Sequence, residues 1–332
     1  MRAVTVAAAG VAWLVVACGT PTPGPAPTFS AQPKPTREMP LSRPPAETAR
    51  LLERERFEFR DMEPTHGGTT RSEHARAYFP AQGVAIEVKW KVTPSGGEGW
   101  NNVPRKELAA FVIQQWFLEA RDWVVPPTAI RCVPVEEHRR FEAVAPVVPD
   151  TQCVLGALSA WLHDVKHPDA ILDRDRFRED PGYARFRANM NLVAYLIHHR
   201  DGRLDNFFVP RDDDVPIYLT DNGISFDGVF WNYFRPNWDV IRVPALPRAS
   251  VDRLRRLTSD DVSALLVLAQ LEADAQGVLQ PARREPAWDP SKGARLRSGR
   301  AQFGLRAVDV AGVAARLQEL LARVDAGEIP LF

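Results

Sequence analysis

The sequence predicts an α+β fold, with an antiparallel sheet in residues 48–158 and mainly helices in residues 159–332. Alternating apolar and polar residues are frequent in the first part, and apolar residues at helical spacing are frequent in the second. About 285 residues follow a proline-rich N-terminal segment, enough for one large domain or for two lobes that share a cleft. The formal net charge of zero does not indicate a nucleic-acid or acidic-lipid partner.

Residues 1–17 have the pattern of a secretory signal peptide, because Arg2 precedes an apolar run too short to span a bilayer comfortably. The run ends Val-Val-Ala-Cys-Gly, which resembles the lipobox of bacterial lipoproteins. The resemblance implies cleavage before Cys18 and a diacylglyceryl group on its sulfur. Gly19 in place of an acidic residue implies lipid anchoring in the bacterial cell envelope, at the outer membrane. The alternative is an ordinary signal peptide with a chance cysteine.

Residues 18–47 are rich in proline, threonine, alanine and serine, so we expect an extended tether that cannot bury a core. If Cys18 carries lipid, Cys132 and Cys153 remain as a pair. An exported compartment permits a disulfide between them, although two buried free thiols are the alternative. No cysteine or histidine spacing suggests zinc.

The first elements predicted are a short helix over Thr48–Glu55 and strands over Phe57–Phe59 and Ala75–Phe79, which flank a glycine-containing turn at residues 66–70. Residues 84–92 alternate as a strand that carries Lys89 and Lys91 on the face opposite its larger apolar side chains. A lysine on such a face could neutralise a phosphate. Lys89 is the first choice and Lys91 the alternate, and a solvated charged edge is the other interpretation.

A helix is predicted to begin near Pro104, because proline suits the first helical turn. Glu107 lies in that turn, where the helix dipole favours an acid. The functional alternative is that Glu107 pairs with Lys89 and fixes its ammonium group. Further strands are predicted at Ile130–Val133 and Val154–Leu158.

The second part is predicted to begin with a crossover at Ser159–Val165, followed by a charged surface loop and a helix over Phe186–His198. Amphipathic helices are expected at Ser259–Glu272 and Val308–Val324. A basic stretch between them, containing Lys292, Arg295, Arg297 and Arg300, is expected to be a solvated loop.

The most informative motif is His-Arg-Asp-x-x-x-x-Asn at residues 199–206, followed by Asp-x-Gly at residues 221–223. A short hairpin between them would bring Asn206 and Asp221 together, and an amide and a carboxylate oxygen suit Mg²⁺ or Mn²⁺. Asp201 could accept a proton from an attacking hydroxyl. Phosphoryl transfer from a nucleotide requires this set of groups. A metal site at the paired histidines is the alternative, but adjacent side chains rarely chelate one ion.

These motifs resemble the atypical branch of the protein-kinase-like superfamily, which contains secretory-pathway kinases and phosphoinositide 3-/4-kinase-like proteins. The glutamate helix from Arg105, the Pro126-Pro127 turn and the Asp-x-Gly-x-x-Phe sequence of residues 221–226 carry the resemblance. It implies a two-lobed fold that binds ATP between an antiparallel-sheet lobe and a mainly helical lobe. The glycine-containing turn would cover the nucleotide, Lys89 or Lys91 with Glu107 would bind it, and Asp201 would be catalytic.

We therefore expect a membrane-anchored lipoprotein that uses Mg²⁺ or Mn²⁺ to transfer the γ-phosphate of ATP to a hydroxyl of an exported protein or small molecule. A catalytically inactive kinase fold that serves as a binding or scaffolding module is one alternative, because ATP is scarce outside the cytoplasm. Transfer of AMP with the same groups is the other.

Overall fold

The computed structural model describes residues 27–29, 39–65, 71–100, 102–226 and 238–332. The signal segment, Cys18 and the glycine-containing turn at residues 66–70 lie outside these ranges. The fold is α+β with antiparallel sheets, as the sequence predicts. Within the described ranges, no helix is both long and apolar enough to cross a membrane.

The first half of the chain builds a five-stranded antiparallel sheet with the strand order β1-β2-β3-β5-β4. Its elements, in chain order, are α1 (Pro45–Arg54), β1 (Glu58–Pro64), β2 (Glu73–Phe79), β3 (Val84–Val92), α2 (Pro104–Gln114), β4 (Thr128–Pro134), α3 (Val135–His138) and β5 (Cys153–Ala160). The predicted strand over residues 84–92 is confirmed, as is the start of α2 at Pro104. The first helix begins at Pro45 instead of Thr48 because proline at its N-terminal turn is favourable.

Alternation along β3 places its apolar and charged side chains on opposite faces of the sheet. Ile86, Val88 and Trp90 are buried in the core beneath the sheet, and the indole of Trp90 donates a hydrogen bond to His138 at 3.2 Å. Gly156 of β5 lies against the Trp90 ring, and a Cβ there would be 2.4 Å from a ring carbon. The opposite face carries the two lysines.

The second half contains helices, a small sheet and a second large sheet. Its elements are β6 (Val165–Lys166), α4 (Arg174–Glu179), α5 (Pro181–Leu196), β7 (Phe207–Pro210), β8 (Tyr218–Leu219), α6 (Arg248–Leu254), α7 (Ser259–Ser263), β9 (Ala269–Ala273), β10 (Leu279–Pro281), β11 (Ala294–Arg297), β12 (Arg300–Phe303) and α8 (Ala307–Asp325). The central helix α5 is buried along most of its length, and its N-terminus is capped by the Asp180 carboxylate.

The expectation of a mainly helical second half is wrong for residues 269–303. These residues form a four-stranded antiparallel sheet with the order β10-β9-β12-β11, which we call the C-terminal sheet. The predicted helix over Ser259–Glu272 ends after one turn, because the residues from Ala269 onward pair with strands later in the chain. The basic stretch is a hairpin of β11 and β12, with a two-residue turn in which Gly299 has a φ of +63°.

The C-terminal sheet packs against the first sheet. The amide of Gln152 donates to the carbonyl of Gly277 at 2.8 Å, and the amide of Leu279 lies 3.2 Å from the Sγ of Cys153. The predicted disulfide between Cys132 and Cys153 is present and joins β4 to β5 beside this contact. The first and last thirds of the chain therefore form one packed unit.

Candidate active site

Lys91 lies at the centre of the candidate site. Its buried ammonium is 2.9 Å from Oδ1 of Asp221 and 3.7 Å from Oε1 of Glu107. The three side chains come from β3, from α2 and from the segment after β8, and Lys91 and Asp221 are 130 residues apart in the chain. The fold thus brings together three of the residues that the sequence analysis selects.

Glu107 connects Lys91 to the Asp-x-Gly segment. One of its carboxylate oxygens contacts Lys91, and the other accepts the backbone N–H of Asn222 at 2.9 Å. The expectation that Glu107 pairs with Lys89 is wrong, because the ion pair is made by Lys91. Both lysines are on the same face of β3, but Lys91 is two residues closer to the strand end, from which the chain continues into α2.

The charged groups at this site shift one another's pKa values. Burial alone would raise the pKa of Asp221, but the charges of Lys91 and Lys89 and the hydrogen bond from Lys91 outweigh it and lower the pKa to about 2. Burial likewise opposes the charge on Lys91, yet the carboxylates of Glu107 and Asp221 raise its pKa. Burial and repulsion by Lys91 lower the pKa of Lys89. Lys89 is therefore the cation that would gain most from an added anion.

Asp221 has a left-handed backbone conformation, with φ at +56° and ψ at +57°. Aspartate tolerates this region better than most residues, but it is still sparsely populated. The conformation is combined with a close contact to Lys91 and a bond from the next amide to Glu107. Backbone strain of this kind is concentrated at functional sites, so it supports a specific role for the carboxylate.

The loop that carries Asp201 is fixed by two buried side chains. The fully buried His199 donates from Nε2 to the Asp201 carbonyl at 3.0 Å, and Asn206 donates from Nδ2 to the same oxygen at 2.9 Å. Burial lowers the pKa of His199, so its ring is neutral at physiological pH. The histidine therefore serves the loop as a hydrogen-bonding anchor.

Both carboxylate oxygens of Asp201 accept hydrogen bonds from Arg203. The guanidinium donates to Oδ1 at 2.7 Å and to Oδ2 at 3.0 Å, a bidentate pair that raises the pKa of Arg203. The same guanidinium is close enough to Asp221 for its charge to lower the pKa of that carboxyl group. A hydroxyl that approaches Asp201 must share it with Arg203 or displace Arg203 from it.

The β7–β8 hairpin brings Asn206 beside the Asp-x-Gly segment, as predicted. Phe207 pairs with Leu219 across the hairpin, and the Thr220 amide donates to the Asn206 carbonyl at 2.9 Å. Oδ1 of Asn222 is buried and has no hydrogen-bond partner within the described part of the chain.

The oxygens of Asn206 and Asp221 are hard donors of the kind that Mg²⁺ and Mn²⁺ prefer. The unpartnered amide oxygen of Asn222 is a further acceptor next to Asp221 in the chain, so the types of donor present suit such an ion. No group of three histidine, cysteine, aspartate or glutamate side chains that could hold a metal occurs in the described ranges. An ion here would therefore depend on ligand oxygens and water for most of its coordination.

A cleft of about 250 Å³ adjoins the charged groups. Its lining includes the charged side chains of Lys89, Lys91, Glu107 and Asp221. The apolar part of the lining, which we call the apolar wall, includes Ala157, Ala160, Leu162, Val165 and Phe208. Such a cleft suits a ligand that combines an apolar ring system with anionic groups.

Two features of the site escape the sequence analysis. The first is Arg203, whose bidentate contact with Asp201 is not indicated by any local sequence pattern. The second is the cleft itself, which the small residues of β5 could have indicated. Ala157 pairs with Lys91 and Ser159 pairs with Lys89 across the strands. Small residues opposite long cationic ones leave room above the sheet.

Comparison with known proteins adds no family assignment, because no protein-family model and no curated protein matches the chain.

Proposed function

We propose that this chain is a membrane-anchored lipoprotein whose folded part is an atypical kinase-like domain. In this proposal it binds ATP with Mg²⁺ or Mn²⁺ and transfers the γ-phosphate to a hydroxyl of an exported protein or small molecule. The observation that carries the proposal is the contact of Lys91 with both Glu107 and Asp221. Kinases require a lysine on the third strand, a glutamate partner on the next helix and an Asp-x-Gly aspartate.

The arrangement of elements supports two lobes with a cleft between them. The five-stranded sheet and α2 would form the first lobe, and α5 with the β7–β8 hairpin would form the floor of the second. The cleft is lined from both sides, by β3 and β5 residues such as Lys91 and Ala157 and by hairpin residues such as Phe208. The adenine would lie against the apolar wall, and the phosphates would lie toward the lysines.

Each charged residue then has a defined task. Lys91 would bind phosphate oxygens while Glu107 holds its ammonium, and Lys89 would supply a second cation. Asn206 and Asp221 would hold the metal, which supplies positive charge against the phosphate oxygens. Asp201 would accept the proton of the attacking hydroxyl once Arg203 turns toward the phosphate charge. Catalysis of this type depends on positioning and charge stabilisation more than on covalent chemistry.

A catalytically inactive binding module is the second candidate. The bidentate contact of Arg203 to both oxygens of Asp201 favours it, because an unreleased guanidinium would prevent proton transfer. An exported location, where ATP is scarce, favours it as well. The cleft and the lysine network would then serve ligand recognition alone.

The test uses the mature chain without its lipid-bearing first residue, that is, the chain from Gly19 onward, with Asp221→Ala and, as a matched control, Asp260→Ala on the exposed surface of α7. Nucleotide-dependent thermal shifts and phosphate incorporation are measured with Mn²⁺. Binding with γ-phosphate transfer that only Asp221→Ala abolishes supports the kinase proposal. Binding without transfer selects the binding module, and incorporation of adenylate selects AMP transfer. Absence of metal-dependent nucleotide binding rejects both enzymatic candidates.

The lipid anchor has a separate test. The mass of the N-terminal peptide from membrane-extracted protein should include a diacylglyceryl group on Cys18. An unmodified cysteine, or cleavage at another site, would reject the lipoprotein part of the proposal without affecting the part that concerns the cleft.

A further inference from the structure

The first turn of helix α2 carries three charged residues, and two of them, Arg105 and Glu107, lie on different sides of the helix. Residues two positions apart do not share a helix face, so Arg105 points away from the cleft that Glu107 faces. Arg105 is nonetheless only 2% exposed. An arginine that is buried to this extent needs close partners, and they come from outside the helix.

The partners of Arg105 are two carboxylates, one from the loop that precedes α2 and one from a distant part of the chain. Its Nε donates to Glu98 at 2.9 Å, and its Nη1 donates to Asp309 at 3.0 Å. Asp309 lies in the first turn of α8, and its side chain is fully buried. Burial would raise the pKa of Asp309, but hydrogen bonding to Arg306 and the charges of Arg105 and Arg306 outweigh it and lower the pKa. The pair is thus ionised, and Arg306 holds the aspartate in place from its own side.

The backbone of the C-terminal sheet is fitted closely to this guanidinium. A Cβ on Gly293, just before β11, would lie 1.9 Å from Nε of Arg105, so only glycine permits the contact. The next residue, Ala294, packs in the same way on Gly97 in the loop that leads to α2, where a Cβ would be 2.5 Å from the Ala294 methyl. Gly293 and Ala294, at the start of β11, therefore pack against the N-terminal end of α2 and against the loop before it.

We propose that Arg105 is a positioning residue for the cleft, through which the C-terminal sheet and α8 set the orientation of α2 and hence of Glu107. The expected effect on nucleotide binding rests on the proposed function, whereas the expected effect on the position of Glu107 does not. The same helix end that is held by Asp309 and Gly293 presents Glu107 to Lys91 on its other side. A kinase-like glutamate helix is held here by the protein's own C-terminal region.

The consequence follows from the short range of the contacts involved. Glu107 is 3.7 Å from Lys91 and 2.9 Å from the Asn222 amide. A small rotation or shift of α2 would lengthen both distances beyond useful range, because hydrogen bonds weaken steeply with distance and angle. Loss of the contact between Arg105 and Asp309 should therefore weaken the hydrogen bond from the Asn222 amide to Glu107, on the far side of the helix.

The experiment measures amide hydrogen exchange at Asn222 by NMR in the nucleotide-free mature chain. Arg105→Lys keeps the positive charge but loses the planar fork that reaches both carboxylates, and Gly293→Ala adds a methyl group without changing any charge. Glu272→Gln is the control, because it weakens the pair with Arg300 in the same C-terminal sheet. The amides of β5 report the global stability in every variant.

Arg105→Lys and Gly293→Ala should each accelerate exchange at Asn222 roughly tenfold while β5 exchange is unchanged, and Glu272→Gln should do neither. In a protein that binds nucleotide, both variants should also raise the KM for ATP several-fold more than they lower kcat. Unchanged exchange at Asn222 in the two variants, or an equal acceleration in the control, overturns the inference.

Acceleration that extends to β5 in proportion also overturns it, because that result means a purely structural role. If one of the two variants does not fold, the other decides, because they act through different physical causes. If the wild-type chain binds no nucleotide, the proposed function fails while the exchange results still decide the positioning role.

Discussion

Replacing Lys91 with methionine should destabilise the nucleotide-free protein by about 2 kcal/mol at neutral pH. Methionine keeps the apolar length of the side chain but removes the charge. Glu107 and Asp221 then face the same buried position without the ammonium that lies between them. The variant leaves two carboxylates poorly compensated, which costs more than the loss of one surface ion pair would.

The magnitude follows from the pKa of Asp221. The pKa is about 2 in the folded protein, against an ordinary value of 3.8, and one pKa unit corresponds to about 1.4 kcal/mol. The difference of nearly two units corresponds to about 2.5 kcal/mol, to which Lys91 contributes most and Lys89 and Arg203 contribute less, so the loss of Lys91 should cost about 2 kcal/mol. Because the folded-state pKa is depressed, this stabilisation is fully present above the unfolded value of 3.8 and is lost as the pH falls through about 2.

Urea unfolding of the wild type and Lys91→Met at neutral pH gives the stability difference, and the exposed Lys166→Met serves as the control. The carboxyl ¹³C resonance of Asp221 gives the pKa directly. Its titration midpoint should rise in the variant, because burial then acts on the carboxyl group with Lys89 as the main remaining cation. Equal stability of the two proteins, or an Asp221 midpoint that does not move, would refute the reasoning.

Three further predictions test neighbouring parts of the structure by urea unfolding. Lys89→Met should change stability by no more than about 0.5 kcal/mol, because it removes repulsion with Lys91 as well as attraction to carboxylates, and a loss as large as that of Lys91→Met would contradict this. Reduction of the disulfide between Cys132 and Cys153 should cost about 3 kcal/mol, from a sequence separation of 21 residues, and an unchanged midpoint with a reductant would disprove it. Gly156→Ala should cost about 1–3 kcal/mol because the new methyl group overlaps the indole beneath it, and a neutral effect would show that the sheet can yield there.

The sequence predicts the local parts of the site well because their signals are local. Alternation over residues 84–92 defines β3, and proline at position 104 defines the start of α2. The spacing of Asn206 and Asp221 around two short apolar runs defines the hairpin that joins them. The choice between Lys89 and Lys91 could not be made from the pattern, because both lie on one face and only the path of α2 distinguishes them.

The C-terminal sheet could not be predicted in the same way, because its pairings are not local. The apolar run that begins near Leu265 fits a buried strand or a helix equally well. Ala269 pairs with Phe303, and that partner lies more than one complete hairpin later in the chain. The turn of Ser298 and Gly299 between β11 and β12 was a usable hairpin signal, since glycine in a two-residue loop allows a positive φ.

The charge balance of the cleft constrains how a nucleotide could enter it. Among the described residues that line the cleft, Lys89 and Lys91 lie near Glu107 and Asp221, so two cations and two carboxylates neutralise one another. A nucleoside triphosphate adds several negative charges to a site whose described residues carry no surplus positive charge, and this excess is costly in a partly buried cleft. A divalent ion at Asn206 and Asp221 would remove much of the excess and free Lys91 from Asp221 for the phosphates. Nucleotide affinity should therefore depend steeply on the metal, and binding that is equally tight in excess chelator would be incompatible with this charge arrangement.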